Sequence, residues 1–132
     1  MVLTDFLLDT SAYSAYAAGN EAVALRVDRA DHLVISTIVL GELRAGFASG
    51  SRKKQNEGEL RSFLSSSRTR IVNIDEETAA AYASIHRELR LLGKPIPTND
   101  IWIAASSLQH RLVLLTRDTH FLQVSSIVID LV

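Results

Sequence analysis

Short apolar runs alternate with segments of helical periodicity along the whole chain, and this constrains the fold more than any other feature. The runs are FLL at 6–8, HLVIS at 32–36, RIVNID at 70–75, LVLLT at 112–116 and SIVIDLV at 126–132. HLVIS does not alternate polar with apolar residues, so it predicts a strand buried on both faces. Between them, SAYSAYAA (11–18), EAVALRVDRA (21–30), TIVLGELRAGF (37–47), ELRSFLSSS (59–67), EETAAAYASIHRELRLLG (76–93) and NDIWIAASSLQHR (99–111) read as helices. Gly19-Asn20 and Gly93 serve as stop signals, SGSRKKQNEG reads as a polar loop or helix entry, and KPIPT as a turn. Strand–helix alternation predicts an α/β fold. A mostly parallel β-sheet is sandwiched by helices in a single domain over 1–132, with no linker or repeat.

A chain of 132 residues is long enough to bury roughly two-thirds of its unfolded surface. With 47% hydrophobic residues it is too apolar for a disordered chain. No apolar run approaches the ~20 residues of a membrane helix, so no membrane partner is expected. Asp5 interrupts the first apolar stretch, and no basic segment precedes it, unlike a signal peptide. Cysteine is absent, which excludes disulfides and thiolate metal sites and fits a cytoplasmic protein. The net charge of -1 means that any nucleic acid must be met by a local basic patch.

In parallel sheets, ligands bind at the carboxyl ends of the strands. Asp9 follows the first strand and Asp118 the fourth. Asp100 lies in the first turn of the helix after PIPTN. Glu42 follows strand two, at the border of the Val39–Leu43–Phe47 face at about 100° per residue. Each acid also has an ordinary reading. Asp9 caps a helix, Asp100 complements a helix dipole, Asp118 makes a turn and Glu42 is solvated. Those readings must hold separately at four places, whereas a site needs one cause. Convergent carboxylates repel one another and require a cation or raised pKa values. Oxygen-only ligands select Mg²⁺ or Mn²⁺ over zinc.

Other acidic or phosphate-binding folds fit less well. A receiver domain pairs two acids after strand one and places a Lys after a late strand, but Asp9 is single and LVLLT ends without Lys. A haloacid-dehalogenase phosphatase has a second Asp two residues on, where this chain has Ser11. A dinucleotide fold has a Gly-rich first turn, and DTSAY has no Gly.

The pattern resembles the PIN domain family, and within it the VapC-type toxins of toxin–antitoxin pairs. The matching stretches are LLDTS with Asp9, GEL with Glu42, NDIWIAA with Asp100, and LTRDTHF with Thr116, Asp118 and Phe121. They extend from the first strand nearly to the last. Some relatives carry another acid just before the Phe, where this chain has His120. The resemblance implies a Mg²⁺- or Mn²⁺-dependent endoribonuclease toxin with an RNA substrate and a cognate antitoxin. It also implies a homodimer or larger assembly.

On this reading, Asp9 and Asp100 would hold a first ion, and Glu42 and Asp118 would complete its surroundings, partly through water. The expected chemistry is metal-assisted phosphodiester hydrolysis. Ser11 and Thr116 are candidates to orient a carboxylate or touch a phosphate. Arg44, Arg117, SRKK at 51–54 and RTR at 68–70 are candidate counter-charges for RNA. The four His lack ligand spacing and read as surface or helix residues. Trp102 reads as a core or subunit contact. The Val39–Leu43–Phe47 stripe and ELRSFL read as packing on their own sheet or as a subunit or antitoxin surface. Two other functions fit the same acids: a catalytically silent PIN-like partner module, and a metal-dependent phosphatase or DNA nuclease.

Overall fold

Five strands form one all-parallel sheet in the computed structural model, which describes residues 4–132. They are β1 (Asp5–Leu8), β2 (His32–Ser36), β3 (Thr69–Val72), β4 (Val113–Thr116) and β5 (Val128–Leu131). The helices are α1 (Thr10–Ala17), α2 (Glu21–Arg29), α3 (Thr37–Ala48), α4 (Lys53–Leu64), α5 (Glu76–Leu92) and α6 (Thr98–His110). They flank the sheet in a single α/β domain. The first three residues of the expected span 1–132 lie outside the described residues.

The strand order is β3-β2-β1-β4-β5. The chain therefore winds outward from β1 to β3, then returns to the other side of β1 for β4. That reversal falls between β1 and β4, and ligands bind at the carboxyl ends of the strands at such a point. The sheet is anchored there by Leu7, Leu8, Leu114 and Leu115, all fully buried. Leu8 pairs with Leu115 in register, so Asp9 and Thr116 arrive at the edge side by side. The Asp9 N–H also donates to the Leu115 carbonyl at 3.2 Å.

Strand burial explains the unbroken apolar runs. Val34 and Ile35 of β2 are fully buried, whereas the edge strands expose Ile71 and Val128. The third strand is shorter than RIVNID suggests. Asp75 leaves the strand to cap α5: its side chain accepts from the Thr78 N–H, and its own N–H donates to Thr78 Oγ1, both at 3.0 Å. Gly93 ends α5 in the left-handed conformation, at φ 65°. A 3-10 turn at Thr119–Gln123, absent from the sequence reading, follows β4 and is capped by Asp118.

The apolar stripes pack within the chain. Val39, Leu43 and Leu60 are buried, and Phe63 meets Tyr13 and Tyr16 edge-on at 5.2 and 5.8 Å. Trp102 of α6 lies against Tyr82 of α5, with ring centroids 4.2 Å apart. No helix among the described residues is long and apolar enough to cross a membrane.

Candidate active site

Asp9 is both a helix cap and a member of the strand-edge cluster. It is buried at the N-terminus of α1, and its Oδ1 accepts the Ala12 N–H at 2.8 Å. Ser11 Oγ donates at 2.8 and 2.9 Å from its two oxygens. Thr116 Oγ1 donates to Oδ2 at 2.6 Å. These donors compensate the loss of water around a buried carboxylate. Thr116 in turn accepts the Asp118 N–H at 2.9 Å, and Ser11 accepts the Arg117 N–H at 3.0 Å. The two hydroxyls therefore tie the end of β4 to the end of β1.

Glu42 on α3 is held by two other elements. Thr10 Oγ1 donates to its Oε1 at 2.6 Å, and Asn99 Nδ2 donates to its Oε2 at 3.3 Å. Asn99 precedes Asp100 in the first turn of α6, so one contact brings α3 and α6 to the same edge. Asp118 Oδ1 accepts the His120 N–H at 2.9 Å, in the 3-10 turn. The His120 ring folds back over the acids. Its Nδ1 is 3.2 Å from Asp118 Oδ1 and 3.7 Å from Asp100 Oδ2.

Electrostatics bind the four acids into one unit. Burial pushes the Asp100 carboxyl up to about 6, and Asp118, Glu42 and Asp9 push in the same direction, against His120. Asp9 is also raised, chiefly by burial, with the Thr116, Ala12 and Ser11 hydrogen bonds opposing the rise. Among the described residues, no Lys or Arg forms an ion pair with any of these carboxylates. A divalent cation would relieve such uncompensated repulsion. The donors are carboxylate oxygens and one imidazole, a set that fits a hard or borderline divalent ion. Among the described residues, one group of three such side chains has its ligand atoms within 4.8 Å of one another: Asp100, Asp118 and His120. Asp9 and Glu42 stand outside that tight group.

The structure thus brings Asp9, Glu42, Asp100, Asp118, Ser11 and Thr116 to one edge. It also adds Thr10, Asn99 and His120, which the sequence reading missed. Thr10 and Asn99 adjoin predicted acids, but nothing in the chain marks them as partners of Glu42. His120 was legible as part of LTRDTHF. It reads as a surface histidine without ligand spacing because one of its two carboxylate neighbours, Asp100, comes from a different element. The basic candidates separate. Arg44 pairs with Glu57 at 3.5 Å, and Arg68 donates to the Val27 carbonyl at 3.2 Å, so both are engaged away from the acids. Arg117 is exposed beside Asp118.

The fold and site together define an all-parallel α/β domain with an acidic cluster at its topological reversal. The PIN domain profile matches residues 6–127, and the chain belongs to the PIN domain family. It is similar to toxin FitB of Neisseria gonorrhoeae, with 36% identity over 121 residues, 86% of this chain and 87% of that one. It is also similar to ribonuclease VapC4 of Mycobacterium tuberculosis, with 32% identity over 87 residues, 66% of this chain and 67% of that one. Among solved structures, the VapBC2 complex of Rickettsia felis bound to a promoter DNA fragment superposes with TM-score 0.82. It is 25% identical, with 96% of this chain and 98% of that one covered. FitAcB of Neisseria gonorrhoeae superposes with TM-score 0.76 at 32% identity, covering 94% and 95%.

Proposed function

We propose that this protein is a Mg²⁺- or Mn²⁺-dependent endoribonuclease toxin of a VapBC-type toxin–antitoxin pair. The observation that carries this reading is the convergence of Asp9, Glu42, Asp100 and Asp118 on one strand edge without a Lys or Arg partner among the described residues. Its relatives include proteins named VapC ribonucleases, and its structural neighbours are toxin–antitoxin complexes. These support a cognate antitoxin; a homodimer or larger assembly is part of the same proposal.

Asp100 and Asp118 are the carboxylates best placed to hold the cation, with Asp9 and Glu42 acting beside them or through water. A bound divalent cation would lower the pKa of a coordinated water and offset charge on a phosphoryl group. Asp9 is immobilised by the hydrogen bonds it accepts from Ser11, Ala12 and Thr116, the Ser11 hydroxyl being shared between its two oxygens, and lines the edge beside the cation site. Thr10 and Asn99 keep Glu42 turned toward the same edge. Arg117, exposed next to Asp118, offers the nearest basic side chain for an RNA phosphate. Ser11 and Thr116 orient Asp9 and are largely taken up by that task.

The test is cleavage of RNA by the purified protein, together with growth on induction. Cleavage is expected with Mg²⁺ or Mn²⁺ and none after exhaustive dialysis against EDTA. Expression is expected to stop growth, with rescue by the product of an adjacent antitoxin gene. Full cleavage in EDTA would overturn the metal dependence. Absence of RNA cleavage under every divalent ion would overturn the ribonuclease reading.

A further inference from the structure

His120 is the part of the site that the acid pattern leaves unexplained. Its backbone N–H donates to Asp118 Oδ1 at 2.9 Å, so the 3-10 turn fixes the residue directly above that carboxylate. The ring then places Nδ1 at 3.2 Å from the same oxygen and 3.7 Å from Asp100 Oδ2. Neighbouring ligands around an ion with ~2.1 Å bonds stand about 3 Å apart. The two distances to Nδ1 are near that spacing, and all three ligand atoms lie within 4.8 Å of one another. The His120 side chain is 52% exposed, whereas that of Asp100 is 15% exposed. The imidazole thus forms the solvent side of the group, and Asp100 its floor. The other histidines lie elsewhere: His32 lies against Asp5, His86 stacks on Tyr82, and His110 ends α6.

The geometry points to His120 as a nitrogen ligand, through Nδ1, of the divalent cation that Asp100 and Asp118 would hold, giving a mixed oxygen–nitrogen site that favours Mn²⁺ over Mg²⁺. This rests on the metal-dependent reading above. It departs from the all-oxygen donor set expected from the sequence. Mg²⁺ favours oxygen ligands and keeps its waters, whereas first-row ions gain from imidazole. A neutral donor also adds no negative charge where carboxylates already repel.

The test is pulsed electron paramagnetic resonance of the tag-free, full-length protein loaded with Mn²⁺, alongside Mn²⁺ and Mg²⁺ titrations followed by calorimetry. Wild type is expected to show nitrogen hyperfine coupling to the bound Mn²⁺. His120→Gln is expected to bind Mn²⁺ without that coupling. Its Mn²⁺ affinity should fall by about tenfold or more, and its Mg²⁺ affinity by no more than about threefold. Mn²⁺ bound to wild type without nitrogen coupling overturns the role of His120 and leaves the cation site standing. Coupling that persists in His120→Gln overturns it too, because the nitrogen is then another residue's. Failure of wild type to bind Mn²⁺ at all overturns the cation site, and the role of His120 with it.

Discussion

Thr116 Oγ1 donates to Asp9 Oδ2 at 2.6 Å while accepting the Asp118 N–H at 2.9 Å. One fully buried hydroxyl therefore couples the acid after β1 to the acid after β4, across the boundary where the strand order reverses. The bond also opposes the rise that burial imposes on the Asp9 carboxyl. Its removal strands a donor and leaves a carboxylate less well satisfied.

Thr116→Val keeps the shape of the side chain and deletes the hydroxyl. The Asp118 N–H loses its acceptor and Asp9 loses one of its donors. The expected loss of stability is about 1–3 kcal/mol, read by urea denaturation in EDTA. Thr116→Ser should recover most of it. A loss for Thr116→Val under about 0.5 kcal/mol, the size of an ordinary surface change, would show that the bond is not holding the edge together.

The raised Asp100 carboxyl makes stability depend on pH in an unusual direction. Its ordinary value is 3.8, and the folded value is about 6. Between those values the folded state holds a proton that the unfolded chain releases. The contribution is complete below about pH 4 and is lost as pH rises through about 6. In EDTA, this group should cost about 1–3 kcal/mol of stability across that window. Asp9, raised as well, acts in the same sense. Denaturation curves at several pH values should show a shallower fall for Asp100→Asn than for wild type. Parallel pH profiles for the two proteins would contradict the raised value.

Asp100→Asn should also cut RNA cleavage by about 10²-fold or more at limiting Mg²⁺. The substitution conserves shape, and the only ion-pair partner of Asp100 among the described residues is His120. The fold should therefore survive, as circular dichroism and melting can confirm. Cleavage within a few-fold of wild type would remove Asp100 from the site.

Asp9 can be separated into cap and site by two substitutions. Asn caps a helix about as well as Asp, so Asp9→Asn should keep the bond to Ala12 and melt in EDTA above Asp9→Ala, although its amide nitrogen cannot accept from the hydroxyls that address the second carboxylate oxygen. Asp9→Ala loses the cap and leaves the Ser11 and Thr116 hydroxyls without their acceptor, and should be about 1–2 kcal/mol less stable. Mg²⁺ at a hundredfold excess over Kd should stabilise wild type by about 2.7 kcal/mol. Asp9→Asn should lose most of that gain. Equal Mg²⁺ shifts in both proteins would reduce Asp9 to a cap.

Much of the scaffold was readable because its causes are local. Runs such as HLVIS and LVLLT have no polar face, and strands buried on both sides need none. Asp9, Asp118 and Asp100 could be placed because a strand end or a helix start fixes where the next side chain emerges. The end of β3 was misplaced for the same reason in reverse. Asp75 had two local uses, and the capping bond to Thr78 outweighed one more ladder position at an edge.

The sequence by itself determined the alternation of elements and the supply of acids to their ends. Only the tertiary structure decided which acids share a field, because strand order is set by long-range pairing that no local pattern encodes. The β3-β2-β1-β4-β5 order makes Asp9 and Thr116 neighbours although 107 positions separate them. The meeting of α3 with α6 turns Glu42 toward Asn99. The capped turn after β4 carries His120 back over Asp118 and Asp100. Side-chain identity fixes what each group can do, but charge repulsion, hydrogen bonding and metal affinity act through distance, and distance between remote segments exists only once the chain has folded.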